Sequence, residues 1–128
     1  MNALRPLAAV VEDDLFLAEI YSESLQSIGL NVKVFNDGGD AMKDLATLNP
    51  DLVILDLNLP TFSGIDIFYH LRKQPQTAET WVLIVTANPS QAAELSNLEM
   101  DNQNLLILAK PISMDQLDQL AHRLVFRN

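Results

Sequence analysis

The chain has 128 residues, 48% of them hydrophobic and 20% charged, which suffices for one folded domain with a real core and not for two domains and a linker. Eight Lys and Arg against 17 Asp and Glu give a formal net charge of −9, which argues against direct contact with nucleic acid or an anionic membrane and favours cations and basic protein surfaces. Cysteine is absent, so disulfides and thiolate metal sites are excluded.

The amino terminus has Arg5 and a short apolar run before three acids, so it does not read as a secretory signal. The runs Leu52–Leu55, Val82–Val85 and Leu105–Ala109 are far too short to cross a membrane. A soluble, cytoplasmic protein with no membrane partner is expected. Leu7–Val11 reads as a first buried strand ending at Glu12-Asp13-Asp14, with Asp14 placed to cap a helix. Leu15, Ala18, Tyr21, Leu25 and Ile28 recur at helical spacing and Gly29 stops that helix. Asn31–Phe35 alternates as a second strand, Asn36-Asp37-Gly38-Gly39 reads as a turn, and a second helix is expected over about Asp40–Leu48.

Pro50 precedes a third strand, Leu52–Leu55, whose four apolar residues fit burial on both faces and which ends at Asp56. Pro60–Gly64 makes the following loop, and a third helix runs through Ile65, Phe68 and Leu71 to about Lys73. Trp81–Val85 is a fourth strand ending at Thr86, and Ser90 to about Leu98 is expected to be helical. Leu105–Ala109 is a fifth strand closed by Lys110-Pro111. Ser113 caps a last helix with Met114, Leu117, Leu120, Ala121 and Leu124 at helical spacing and Arg123 and Arg127 near its end. Met114, Leu117 and Leu124 are expected to serve the core. There is no internal repeat.

Five alternations of strand and helix imply a parallel sheet covered on both faces, with right-handed crossovers. Chemistry in such sheets collects outside the carboxyl ends of the strands, and there the chain has Glu12, Asp13, Asp56, Thr86 and Lys110. Three crowded carboxylates call for a shared proton or a divalent cation, and an all-oxygen set suits Mg²⁺ rather than zinc. A carboxylate facing Mg²⁺ can attack phosphorus and form an aspartyl phosphate. The metal, the Lys110 ammonium and the Thr86 hydroxyl could each then neutralise one equatorial oxygen.

Val10-Val11-Glu12-Asp13-Asp14, Asp51–Pro60 with Gly64 behind it, Val85-Thr86-Ala87 and Lys110-Pro111 occur in the order and at the spacings of a response regulator receiver domain, and the chain resembles that family of two-component signalling proteins over essentially its whole length. The resemblance implies a flavodoxin-like (βα)5 three-layer sandwich, a single receiver domain over 1–128, with a five-stranded parallel sheet in the order 2-1-3-4-5. That order is taken from the class rather than from the spacing. It also implies that Asp56 is the phosphoacceptor, that Glu12 and Asp13 hold Mg²⁺ with Asp56 and the backbone carbonyl of Asn58, that Thr86 and Lys110 contact the phosphoryl group, and that Lys110-Pro111 is cis. Asn58 and Asn88 stand where receivers tune the lifetime of the acyl phosphate.

The implied partners are a histidine kinase or histidine phosphotransfer protein as donor and a downstream protein reached through the helix 4, strand 5 and helix 5 face, roughly Ser90–Asn128, with slow self-hydrolysis of the acyl phosphate. Homodimerisation is left open. Nothing after Asn128 supplies an output domain, so the chain reads as a stand-alone receiver or as a receiver from a longer regulator or hybrid kinase. One position departs from the family: three residues before the lysine, where Tyr or Phe is common, stands Ile107, which has no ring to reorient. That favours a phosphorylation-independent interaction module as the alternative, while the intact acid cluster argues against it. An aspartyl hydrolase would need a general acid where Asn58 stands. Taken singly, Glu12 and Asp13 could be helix-end acids, and His70 and His122 are expected at the surface with no role.

Overall fold

The computed structural model describes residues 5–126. Its strands are β1 (Leu7–Val11), β2 (Asn31–Phe35), β3 (Leu52–Asp56), β4 (Trp81–Thr86) and β5 (Leu105–Ala109). They alternate with helices α1 (Leu15–Ser27), α2 (Gly38–Leu48), α3 (Gly64–Arg72), α4 (Pro89–Glu94), α5 (Ser96–Asp101) and α6 (Met114–Phe126), and a 3₁₀ turn covers Pro75–Thr77. All strand pairs are parallel, in the order β2-β1-β3-β4-β5. This is the flavodoxin-like sheet that the resemblance implies.

Side chains alternate across the strands and divide the core in two. Ala9, Val11, Val53, Leu55, Val82 and Ile84 pack with Ala41 and Leu45 of α2 and Ile67, Phe68 and Leu71 of α3. Ala8, Val10, Leu52, Ile54, Leu83 and Val85 pack on the other face with Tyr21 and Leu25 of α1 and Leu117 and Ala121 of α6. Burial of β3 on both faces explains its unbroken apolar run. Met114 and Leu124 pack against the second of these clusters, as their spacing indicates.

Capping fixes the helix starts. The Asp14 carboxylate accepts from the amides of Phe16 and Leu17 at 3.0 and 3.1 Å, and the Ser113 hydroxyl accepts from Gln116 N at 3.0 Å, satisfying amides that have no partner within the helix. The helix through Arg123 continues to Phe126, and Arg127 lies outside the described residues.

The structure departs from the sequence expectations in three places. Leu15 is 68% exposed rather than inward, with Phe16 beside it at 71%, because the buried stripe of α1 starts one turn later, at Ala18, and Leu15 borders an open groove beside Val34 and Asn36. Helix α2 begins at Gly38 rather than Asp40, capped by Asp37, whose carboxylate accepts from Gly39 N at 3.1 Å. A Cβ at Gly38 would lie 2.9 Å from the Phe62 carbonyl oxygen, so that glycine serves a close approach of two loops rather than a turn. The helix expected over Ser90–Leu98 is two short ones that meet at Leu95, where φ and ψ are −90° and 1°.

Candidate functional site

The backbone ladder runs one residue past several strand ends and fixes the groups that follow. Glu12 N donates to Phe35 O at 3.0 Å, Leu57 N to Val85 O at 2.8 Å and Lys110 N to Thr86 O at 2.7 Å. Glu12, Asp56 and Thr86 are buried, while Asp13 is exposed. Carboxylate oxygens of Glu12, Asp13 and Asp56 lie within 4.8 Å of one another. Lys110 Nζ is 2.9 Å from Glu12 Oε1 and 3.6 Å from Asp56 Oδ2. Four of the five residues that the sequence singled out at strand ends, Glu12, Asp13, Asp56 and Lys110, therefore meet at one edge of the sheet, and the Thr86 backbone adjoins them through Lys110 N.

Burial dominates the electrostatics of Glu12 and pushes its carboxyl from an ordinary 4.5 up to about 7; the Lys110 ammonium works against that shift and Asp56 adds to it. For Lys110, burial disfavours the charge, but the hydrogen bond and attraction from Glu12, with Asp56, outweigh it and raise the ammonium above its usual value. Lys110 thus acts as the resident counter-charge of an acid cluster that is too dense to stand alone.

Glu12 Oε2 accepts from Asp14 N at 3.2 Å, and Asp56 Oδ1 accepts from Asn58 N at 3.2 Å, leaving Asp56 Oδ2 toward Lys110. Gly64 supports this loop: its amide donates to Leu57 O at 2.9 Å, and a Cβ there would lie 2.7 Å from Asp56 O and 3.1 Å from Leu57 Cα. Only a residue without a side chain fits behind Asp56. The Lys110-Pro111 bond is cis.

Thr86 ends the neighbouring strand, one residue past the Asp56–Val85 pair, but its hydroxyl turns away from Asp56. Alternation along β4 puts it with Val82 and Ile84 on the α3 side, where its hydroxyl donates to Gln91 Oε1 at 2.9 Å and accepts from Asn88 N at 3.1 Å. The Gln91 amide also pairs with that of Asn58, at 3.2 and 3.4 Å. Gln91 is the site residue that the sequence did not single out. Asn88 serves α4 by accepting from Ser90 N at 2.9 Å, and Ile107 packs with Leu95 and Leu98 against the α2–α3 side of the core.

An acid cluster at the carboxyl edge of a 2-1-3-4-5 sheet, with a lysine before a cis proline, defines a receiver-type α/β domain. The family model of the response regulator receiver domain matches residues 8–122, and the chain belongs to that family. It is 30% identical to the luminescence regulatory protein LuxO of Vibrio campbellii over 108 residues, which cover 84% of this chain and 23% of LuxO. The chain thus spans under a quarter of that relative. Among solved structures it is similar to the receiver domain of the Francisella response regulator 1452, with a TM-score of 0.82 and 28% identity over 96% of this chain and 98% of that one. The receiver domain of a putative LuxO repressor from Vibrio parahaemolyticus gives 0.82 and 30% over 97% and 92%. No described helix is long and apolar enough to cross a membrane.

Proposed function

We propose that this receiver takes a phosphoryl group from a phosphohistidine of a kinase or phosphotransfer protein onto Asp56. The observation that carries this reading is the position of Asp56: a buried carboxylate at a strand end, with one oxygen held by Asn58 N and the other facing Lys110 at 3.6 Å. The facing oxygen attacks phosphorus, the P–N bond breaks, and its electron pair returns to the imidazole. Lys110 is already at hand to offset charge on a phosphoryl oxygen, and Thr86 supplies a second donor once its hydroxyl turns.

Oxygen donors alone, three of them carboxylates within 4.8 Å, fit a hard divalent cation such as Mg²⁺. Glu12, Asp13 and Asp56 would hold it, with the Asn58 carbonyl. When bound, it would neutralise charge on the phosphoryl oxygens as they approach the Asp56 carboxylate. Leu15 and Phe16, exposed at the start of α1 next to the acid pair, give an apolar rim against which a protein donor can seat.

The negative charge speaks for protein rather than nucleic-acid contacts of this chain itself. A downstream protein would read the face built from α4, α5, β5 and α6, and the domain would work in the cytoplasm, alone or as the receiver of a longer regulator or hybrid kinase. The test is intact mass after incubation with Mg²⁺ and a small phosphodonor. Wild type gains one phosphate, and Asp56→Asn or chelated wild type does not. An equal adduct on Asp56→Asn overturns the proposal.

A further inference from the structure

Resting on that reading, we propose that Gln91 is the positioning residue that holds Thr86 before phosphorylation and couples the Thr86 hydroxyl to α4, taking the place of the ring that is missing at Ile107. Thr86 is fully buried and its hydroxyl has one proton to donate. That proton goes to Gln91 Oε1 at 2.9 Å. The same oxygen accepts from Asn58 Nδ2 at 3.2 Å, and Gln91 Nε2 returns a bond to Asn58 Oδ1 at 3.4 Å. One side chain on α4 thus ties the end of β4 to the loop that follows Asp56.

A phosphoryl oxygen on Asp56 and Gln91 Oε1 cannot both take the single Thr86 proton. Turning Thr86 to the phosphoryl group therefore costs Gln91 its bond to β4. Helix α4 is the element most exposed to that loss. It has six residues and none is buried, and an open cleft of about 210 Å³, lined by Leu57, Asn58, Ile65, Gln91, Glu94 and Leu95, runs along its side.

Beyond α4 the path is apolar. Leu95 joins α4 to α5, and Leu95 and Leu98 pack with Ile107 on one core cluster. Ile107 N donates to Glu99 Oε2 of α5 at 2.6 Å. Ile107 is held from both its side chain and its backbone, as a fixed post rather than a moving part. The element free to respond is the helix pair over residues 89–101, and Gln91 is its tie to the site.

The experiment combines Gln91→Ala, Thr86→Val and the double variant with beryllofluoride titration in Mg²⁺ and deuterium exchange over residues 89–101. In wild type the adduct speeds exchange in that segment. Gln91→Ala has the faster exchange before any ligand is added. It also binds beryllofluoride about threefold tighter, the size of one neutral hydrogen bond partly open to water. In the Thr86→Val background, Gln91→Ala no longer changes beryllofluoride affinity, an outcome that a purely structural role for Gln91 would not give. Unchanged affinity in Gln91→Ala, or an equal effect with Val at 86, overturns the inference while the phosphoacceptor reading stands. If wild type takes up neither phosphate nor beryllofluoride, that reading falls and the inference with it.

Discussion

Replacing Glu12 by Gln removes the most strongly perturbed acid of the site, and its effect on stability has a definite sign. In the fold the Glu12 carboxyl titrates at about 7 against an ordinary 4.5, chiefly because it is buried. Below pH 4.5 the folded and unfolded chains both carry the proton, and the contribution to stability is fully present. As the pH rises, the unfolded chain ionises first, and stability falls until the folded group ionises near 7. The gap, at about 1.4 kcal/mol per pKa unit, makes the loss on the order of 3 kcal/mol. Tyr21 and Lys110 shift upward from values at or above 10, away from this window. Urea unfolding in chelator at pH 4.5 to 8 should show wild type losing that much relative to Glu12→Gln, whose amide does not titrate. Adding Mg²⁺ at pH 8 should restore wild type more than the variant, because a cation that binds the folded state alone stabilises it. Wild type gaining stability over Glu12→Gln as pH rises would refute the argument that burial, rather than the Lys110 ion pair, governs Glu12.

Lys110→Ala takes away the ammonium 2.9 Å from Glu12 and 3.6 Å from Asp56. It should cost about 3 kcal/mol in chelator at pH 8 and less at pH 5, where Glu12 holds a proton. It should still take up some phosphate by intact mass while partner binding no longer responds; an unaltered binding response contradicts this role. Phe16→Ala, at a side chain 71% exposed, should leave stability within about 0.5 kcal/mol. It should slow phosphoryl transfer from a protein donor several-fold while leaving the rate with a small phosphodonor alone, and equal slowing with both donors counts against the docking rim. Gly64→Ala sets a Cβ 2.7 Å from Asp56 O. Thermal unfolding should record a loss of about 2 kcal/mol, and an unchanged melting temperature would mean that the loop yields freely.

What the sequence made legible follows from how the fold uses it. Apolar runs ending in acids mark β1 and β3, and the alternation of strand and helix by itself assigns Glu12, Asp56, Thr86 and Lys110 to one edge of the sheet. Asp14 and Ser113 were readable because a cap is a local matter between neighbouring residues. Other features depend on contacts far apart in sequence. The break at Leu95 has no Gly or Pro to announce it, and the inward spacing of Leu95 and Leu98, three residues apart, is what one unbroken helix would also show. The need for glycine at position 38 comes from Phe62, 24 positions further on, whose carbonyl oxygen leaves no room for a Cβ. Gln91 reads as an ordinary polar helix residue until β4 and the loop after β3 are brought beside it. Leu15 fits the helical spacing of a core position, but spacing does not say at which turn the inward stripe begins, and here it begins at Ala18.

The central claim is that Asp56, among all the acids clustered at this edge, receives the phosphoryl group. Borohydride reduction of the phosphorylated protein turns an aspartyl phosphate into homoserine, and peptide sequencing then locates it. Homoserine at position 56, and nowhere else, is the predicted result. Homoserine at position 13, or a label that survives in Asp56→Asn, would contradict the account.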